Sequence, residues 1–269
     1  MAISTVVFIG AGRVATQLGL SLIKESISVL QVYSRTIESA SALASLLKCN
    51  FTNDITSLTK KADLYIISIS DNFIAEIAGQ LHLQNKIVVH TSGSVPIEIL
   101  KNTSNHFGVF YPLNTFIKEK IINLSTTPFC IEASDDQTEE KLIGLASRIT
   151  SDVRQINSKE RAVIHLAAVF ACNFTNFMMV NADEILKANG ISFDILMPLI
   201  GETIEKLCDI SPKMAQTGPA IRNDTKVMQK HLEMLKNDPN KSMIYQLLNS
   251  QISNFFETDK NKADDSKEL

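Results

Sequence analysis

Hydrophobic side chains follow two regimes along the chain. In the first part they come in short runs: residues 4–9 (STVVFI), 29–33 (VLQVY), 64–69 (LYIISI) and 86–90 (KIVVH). Each run is rich in β-branched residues and gives way to Gly or a hydroxyl residue, the signature of a short buried strand. Between the runs, apolar residues recur at helical spacing: Val14, Leu18, Leu22 and Ile23, then the Ala- and Leu-rich stretch 36–47, then 72–81. Strands alternating with helices, and too apolar to leave one face in water, predict a parallel sheet covered on both sides. Weaker strands at 107–110, 128–133 and 152–156, with a helix at 138–149, extend the pattern. From 158 onward no strand pattern remains, and helices are predicted at 158–188, 193–209, 223–235 and 239–256. The expected organisation is an α/β Rossmann-type parallel-sheet domain (1–157), an all-helical domain for substrate and dimerisation (158–256) and a polar, fraying tail (257–269).

Composition narrows the partners. The 269 residues carry 26 basic and 29 acidic side chains, a net charge of −3, which argues against a broad nucleic-acid surface. Charged and polar residues interrupt every long apolar stretch, so no membrane span is expected. Cys49, Cys130, Cys172 and Cys208 are scattered and form no CxxC pair. That fits reduced thiols in a cytoplasmic protein, with no metal site.

Gly10-Ala11-Gly12-Arg13-Val14-Ala15 is a GxGxxA turn, placed between a strand and a helix at the start of a βαβ unit. Gly10 permits the sharp turn, Gly12 lets a pyrophosphate approach the backbone, and Ala15 lets helix and strand pack closely. The helix N-terminus offers unpaired N–H groups to phosphate. Arg13 either adds a phosphate contact or lies in solvent. An NAD site usually carries an acid at the end of the second strand, on the ribose hydroxyls. Here the sequence is Tyr33-Ser34-Arg35-Thr36, without an acid. Ser34, Arg35 and Thr36 instead suit a 2′-phosphate, so the expected cofactor is NADP.

These segments resemble the NADP-dependent Rossmann oxidoreductases with a helical C-terminal domain. That group includes pyrroline-5-carboxylate reductase, the 6-phosphogluconate and 3-hydroxyacid dehydrogenases, and the deazaflavin-dependent NADP oxidoreductases. The chain is most similar to a bacterial subgroup labelled "putative NADP oxidoreductase". The resemblance rests on VVFIGAGRVA (6–15), VYSRT (32–36), ISISDNFIAEIA (67–78), VVHTSGS (88–94), FYPLNTF (110–116), HLAAVFACNFTN (165–176) and TGPAIRND (217–224). It implies that Ser68, Ser70 and Asp71 pass near the nicotinamide-side ribose, and that Thr91, Ser92 and Gly93 border the nicotinamide. Tyr111, Pro112, Leu113 and Asn114 fall where relatives place a proline-containing active-site loop. A homodimer with interlocking helical domains is implied too, and the apolar stretch around Phe170, Phe174, Phe177, Met178 and Met179 could form its interface or an internal core.

The helix at 158–188 is apolar enough to be buried over most of its circumference, so its polar residues need partners. At about 100° per residue, His165, Cys172, Asn176 and Asp183 fall within about 20° of one line. Imidazole is the side chain suited to proton exchange near neutrality, which makes His165 a candidate proton donor; the alternative is a hydrogen bond between helices. Asn173 and Asn176 can share one substrate group, and Arg222 can bind a carboxylate or phosphate, or pair with Asp224. The hydroxyacid dehydrogenases carry a Lys four residues before the Asn on this helix, where this chain has Val169. The expected function is hydride transfer between NADPH and a small, anionic carbonyl or imine substrate. A non-catalytic NADP sensor and an NADP:deazaflavin oxidoreductase are the alternatives.

Overall fold

The computed structural model describes residues 2–117 and 120–265, with side chains described up to residue 258. The chain divides into two compact units, Met1–Phe174 and Thr175–Leu269.

The first unit is built on one eight-stranded sheet. Its strands are β1 (Thr5–Ile9), β2 (Ser28–Tyr33), β3 (Asn50–Thr52), β4 (Leu64–Ile67), β5 (Ile87–His90), β6 (His106–Pro112), β7 (Phe129–Ala133) and β8 (Val153–Gln155). Their spatial order is β3-β2-β1-β4-β5-β6-β7-β8. Alternate side chains of β1 enter two separate cores. Val6 and Phe8 pack with Leu18 and Leu22 of α1 (Arg13–Lys24), Leu43 and Leu47 of α2 (Ile37–Leu47), and Leu142 and Leu145 of α4 (Asp136–Ile149). Val7 and Ile9 pack on the other face with Ile74 and Ile77 of α3 (Ile74–Gln80) and with Leu100. Each large aliphatic side chain buried this way stabilises the fold by about 1.5–3 kcal/mol.

The register sets the position of the site. Ile9 pairs Ile67, Ile67 pairs His90 and His90 pairs Val109, all in parallel. The carboxyl ends of β1, β4 and β5 therefore share one edge, and β6 continues past it to Pro112. Two features differ from the sequence expectation. The three-residue β3 pairs with β2 at the sheet's margin, too short to show as a hydrophobic run. The pair β6–β7 is antiparallel, so the sheet is mostly rather than wholly parallel. No helix separates these two strands among the described residues, and a parallel return needs such a crossover.

A helical run covers Ser158–Ala188. It comprises α5 (Ser158–Ala168), a π turn (Val169–Phe174) and α6 (Thr175–Ala188). Asn157 and Glu160 form a reciprocal capping box that starts α5. The second unit continues with α7 (Met197–Glu205), α8 (Pro212–Ala215), α9 (Thr225–Met234) and α10 (Pro239–Asp265). The helix expected at 193–209 is α7 flanked by 3₁₀ turns. The backbone of α10 continues into the polar tail as far as Asp265; residues 266–269 lie outside the described residues.

The run 158–188 is not buried within the chain, contrary to the expectation from its composition. Val163, Leu166, Phe170, Phe174 and Phe177 are each more than half exposed and succeed one another at helical spacing. By length and composition alone the run would also meet the requirement for a membrane span. Its interruptions are mainly amides and an imidazole, which weigh little against Val, Phe and Met. Within the second unit, Ala215 and Ala220 are the buried hydrophobic residues among those described.

Candidate active site

Along the shared strand edge lies a cleft of about 750 Å³. Its floor is the glycine turn. Gly10 has φ +118°, and a Cβ there would come 2.2 Å from the Ser68 carbonyl oxygen, so no other residue fits. Gly10 N–H donates to Tyr33 O (2.8 Å) and Ser68 N–H to Ile9 O (2.8 Å), which ties together the ends of β1, β2 and β4. Gly12 is the N-cap of α1, and no side chain caps it. A Cβ at Gly12 would have no neighbour nearer than Ser68 O at 4.0 Å, leaving open space over the helix N-terminus. The first turn of α1 holds no acidic residue. Free N–H groups, a positive helix end and an unobstructed approach fit a diphosphate.

At the β2 end, Ser34, Arg35 and Thr36 line the cleft. The Arg35 guanidinium lies 4.5 Å from the centre of the Phe73 ring. The Thr36 hydroxyl donates to the Ser39 hydroxyl (2.8 Å), bringing a further oxygen to this corner. Three hydroxyls and a guanidinium, with no acid among residues 33–37, fit a monoester phosphate; the carboxylates that line the cleft are Asp71 and Glu76. On the other side Ser68, Ser70, Asp71 and Thr91 complete the lining. The Thr91 hydroxyl donates to that of Ser68 (3.4 Å), and the Ser94 hydroxyl donates to Asp71 (2.5 Å).

All the predicted cofactor residues except Ser92 and Gly93 thus line one cleft, Arg13 and Val14 included. Ser92 is buried, and its hydroxyl accepts the N–H groups of Ser94 (3.1 Å) and Val95 (3.0 Å), shaping the turn after β5. Gly93 lies under two aromatic rings. A Cβ there would fall 2.7 Å from His165 Nδ1 and 2.9 Å from Tyr111 Cζ. Sequence reasoning missed Ser39, Phe73, Glu76 and Ile77 in the lining. Phe73 and its neighbours belong to the ISISDNF run, whose polar residues drew the attention instead.

His165 is half-buried, and its Nδ1 lies 3.2 Å from the Tyr111 hydroxyl, with the rings edge to face. Burial pushes the Tyr111 phenol up to about 12; Cys130 and Asp71 add to the shift and Arg161 opposes it. Arg161, one turn before His165, is fully buried. Its guanidinium pairs with Glu132 and donates to Val95 O (2.6 Å) and Ser158 Oγ (3.1 Å). Glu132 also accepts Ser158 N–H (3.0 Å) and Oγ–H (2.8 Å). This network clamps α5 to β7 and to the turn after β5, and so fixes His165. Nothing in the hydropathy pattern marks Arg161, since a single charge in a helix ordinarily faces water.

His90, at the end of β5, is buried. Its Nδ1 accepts Ser92 N–H (3.2 Å), while Nε2 makes no well-formed hydrogen bond among the described residues. Burial first, then the Arg161 charge, hold the imidazole down to about 4, against a smaller upward pull from the Pro96 backbone and Asp71.

Asn173 is exposed and sits in the π turn. That turn winds more slowly than an α-helix, so the straight line projected from His165 to Asn176 and Asp183 does not hold. Asn176 and Arg222 belong to the second unit, and both are exposed. Arg222 lies in the turn before α9, where Asp224 is occupied in capping Val227 N–H (3.2 Å). Among the described residues no group of three or more His, Cys, Asp or Glu side chains gathers to hold a metal ion.

Two family models match. Residues 5–93 match "NADP oxidoreductase coenzyme F420-dependent", and residues 127–252 match a domain of unknown function. Among curated proteins no relative matches. The structure is similar to that of the "putative NADP oxidoreductase BF3122" of Bacteroides fragilis. The two are 41% identical over 94% of this chain and 98% of that one, with a TM-score of 0.90. Protein TM1727 of Thermotoga maritima is similar at 22% identity, over 94% of this chain and 99% of that one, with a TM-score of 0.76. An imine reductase of Myxococcus stipitatus in complex with NADP+ shares the fold at 13% identity, over 96% of this chain and 94% of that one, with a TM-score of 0.62. With the Bacteroides likeness extending over nearly the whole of both chains, and an NADP oxidoreductase model matching the segment that builds the cleft, this protein belongs to that family of NADP oxidoreductases, with NADP as its cofactor.

Proposed function

We propose that the protein reduces a small carbonyl or imine compound with NADPH. The observation that carries this reading is the cleft itself. The uncapped N-terminus of α1, the acid-free end of β2 and Thr91 at the end of β5 all border one cavity. NADPH, when bound, supplies the hydride. The backbone at Gly10–Val14 holds the diphosphate, while Ser34, Arg35, Thr36 and Ser39 hold the 2′-phosphate. Ser68, Ser70, Asp71 and Thr91 face the ribose and nicotinamide portion, and Gly93, behind them, leaves room for the rings of His165 and Tyr111. His165 stands on the β5 side, bonded to the Tyr111 hydroxyl, as the imidazole through which a proton reaches the reacting site. Asn173 in the first unit, and Asn176 and Arg222 in the second, carry amide and guanidinium donors of the kind that binds an anionic group. The same reading gives cofactor binding to residues 1–157 and substrate and dimer contacts to 158–256, although the compact unit that carries the cleft extends to Phe174. The apolar stripe from Val163 to Phe177, each member more than half exposed, supports a homodimer. Free cysteines throughout support a cytoplasmic setting.

The test compares NADPH and NADH binding to the wild type and to Arg35→Ala. Loss of charge-assisted bonds to the 2′-phosphate, about 2–3 kcal/mol, weakens NADPH roughly 30- to 150-fold. NADH affinity changes by less than about three-fold. Equal losses for both nucleotides refute the assignment.

A further inference from the structure

We propose that the phenol of Tyr111, held by His165, is the group that gives the proton to the substrate's nitrogen or oxygen as its C=N or C=O bond is reduced. This rests on the reading of the cleft as the NADPH site.

The register places the phenol. His90, the last residue of β5, pairs with Val109, so Tyr111 on β6 stands level with the turn that follows β5. That turn runs from Thr91, which lines the cleft, to Ser94, which is bonded to the cleft residue Asp71. Gly93 lies between them and presents no side chain. The nearest atoms around its missing Cβ are those of His165 and Tyr111. Both rings therefore pack on the turn that carries Thr91, although neither is itself among the residues lining the cleft.

Packing alone does not ask for these residue types. The Tyr111 ring is buried with Ile97, Val109 and Cys130, and Phe would fill that space equally well. The hydroxyl reaches His165 at 3.2 Å, on a helix whose neighbouring positions are Val, Leu and Ala. The ionisable groups bearing on the phenol are Cys130, Asp71 and Arg161, besides His165 itself. Burial keeps the phenol in its protonated form until a stronger base is created beside it. Reduction creates that base. When hydride forms the new C–H bond, the π pair of the C=N or C=O moves onto nitrogen or oxygen. The Tyr111 O–H bond then breaks, its proton joins that atom, and tyrosinate remains. The Nδ1–H of His165 then returns a proton to the phenolate oxygen while its Nε2 takes one up from solvent, which supplies the net proton the reduction consumes. Tyr111 is thus the catalytic residue, and His165 positions and recharges it.

The experiment uses the full chain, with NADPH as the binding probe and 1-pyrroline-5-carboxylate and cyclohexanone as reduction probes. Wild type, Tyr111→Phe, His165→Gln and His165→Ala should bind NADPH within about two-fold of one another. Tyr111→Phe should lose about 100-fold or more in kcat, with KM within about three-fold and the pH dependence of kcat flattened. His165→Gln, which can still hydrogen-bond the phenol, should recover part of what His165→Ala loses. The proposal is overturned by kcat within three-fold of wild type in Tyr111→Phe or, should that variant not fold, in His165→Ala. A wild type that binds NADPH yet reduces neither probe overturns it too. A wild type that fails to bind NADPH overturns the reading of the cleft instead.

Discussion

Acid should weaken this fold over an unusual range, because of His90. Its imidazole is held to about 4 in the folded protein, against 6.5 in an unfolded chain. The folded state therefore resists a proton that the unfolded state accepts. Stability from this group is fully present above about pH 6.5 and drains away as the pH falls to about 4. A shift of about 2.5 units at 1.36 kcal/mol per unit comes to about 3 kcal/mol. The carboxylates held low in the fold do not act in that window. For Asp135, burial pulls upward, but bonds from Thr138, His106 and Ser134 outweigh it. Such a carboxylate loses its contribution only below the ordinary carboxylate range. The control is His90→Asn, whose side-chain oxygen can accept Ser92 N–H in place of Nδ1 and cannot titrate. Urea unfolding of both proteins at about pH 7 and about pH 4.5 supplies the comparison. The wild type should lose about 2–3 kcal/mol more than the variant between those points. Parallel losses would show that His90 takes up its proton as readily folded as unfolded, and the argument from burial would fail.

Three other outcomes follow from the same geometry. Gly10→Ala forces a Cβ against the Ser68 carbonyl at a φ of +118°, so the variant should lose NADPH affinity by at least about ten-fold and melt lower; wild-type values of both would refute the tight approach of β1 and β4. Glu132→Gln leaves the buried Arg161 charge without its partner and should cost about 3–5 kcal/mol, whereas Glu132→Gln combined with Arg161→Met should cost less than the single change; thermal melting of the pair decides it. Phe170→Glu, in the exposed stripe, should convert a dimer into monomers by light scattering while leaving NADPH binding within about two-fold; an unchanged mass would show that the stripe is not the interface.

The cofactor half was legible because its signals are local. A Gly at positive φ, a second Gly with open space above it and a strand ending without an acid are each written within a few residues. The alternation of β1 between two cores made both sheet faces visible as an unbroken apolar run. What escaped depends on partners distant in sequence. Arg161 reads as a surface charge until Glu132 and Val95 are brought to it. Tyr111 stood in a recognised loop, but its pairing with His165 spans 54 residues and needs the register of β6 against β5. The turn of β7 against β6 was hidden because strand direction leaves no mark on hydropathy.

The helical half shows a different limit. Hydropathy says that a surface will be kept from water, and it does not say which chain will cover it. The run 158–188 reads as a core helix, yet its stripe from Val163 to Phe177 is bare in the single chain. In the second unit Ala215 and Ala220 are the buried hydrophobic residues among those described. Marginal stability leaves no room for so much exposed hydrocarbon without a large compensating gain. A second copy provides that gain if both chains present the same stripe, as a two-fold interface requires. His165 lies in the same run, one turn past the clamp of Arg161. Cover for the stripe would then also exclude water from the flank of the Tyr111–His165 pair. Stability and proton transfer would therefore respond together to Phe170→Glu, although Phe170 is not among the residues lining the cofactor cleft.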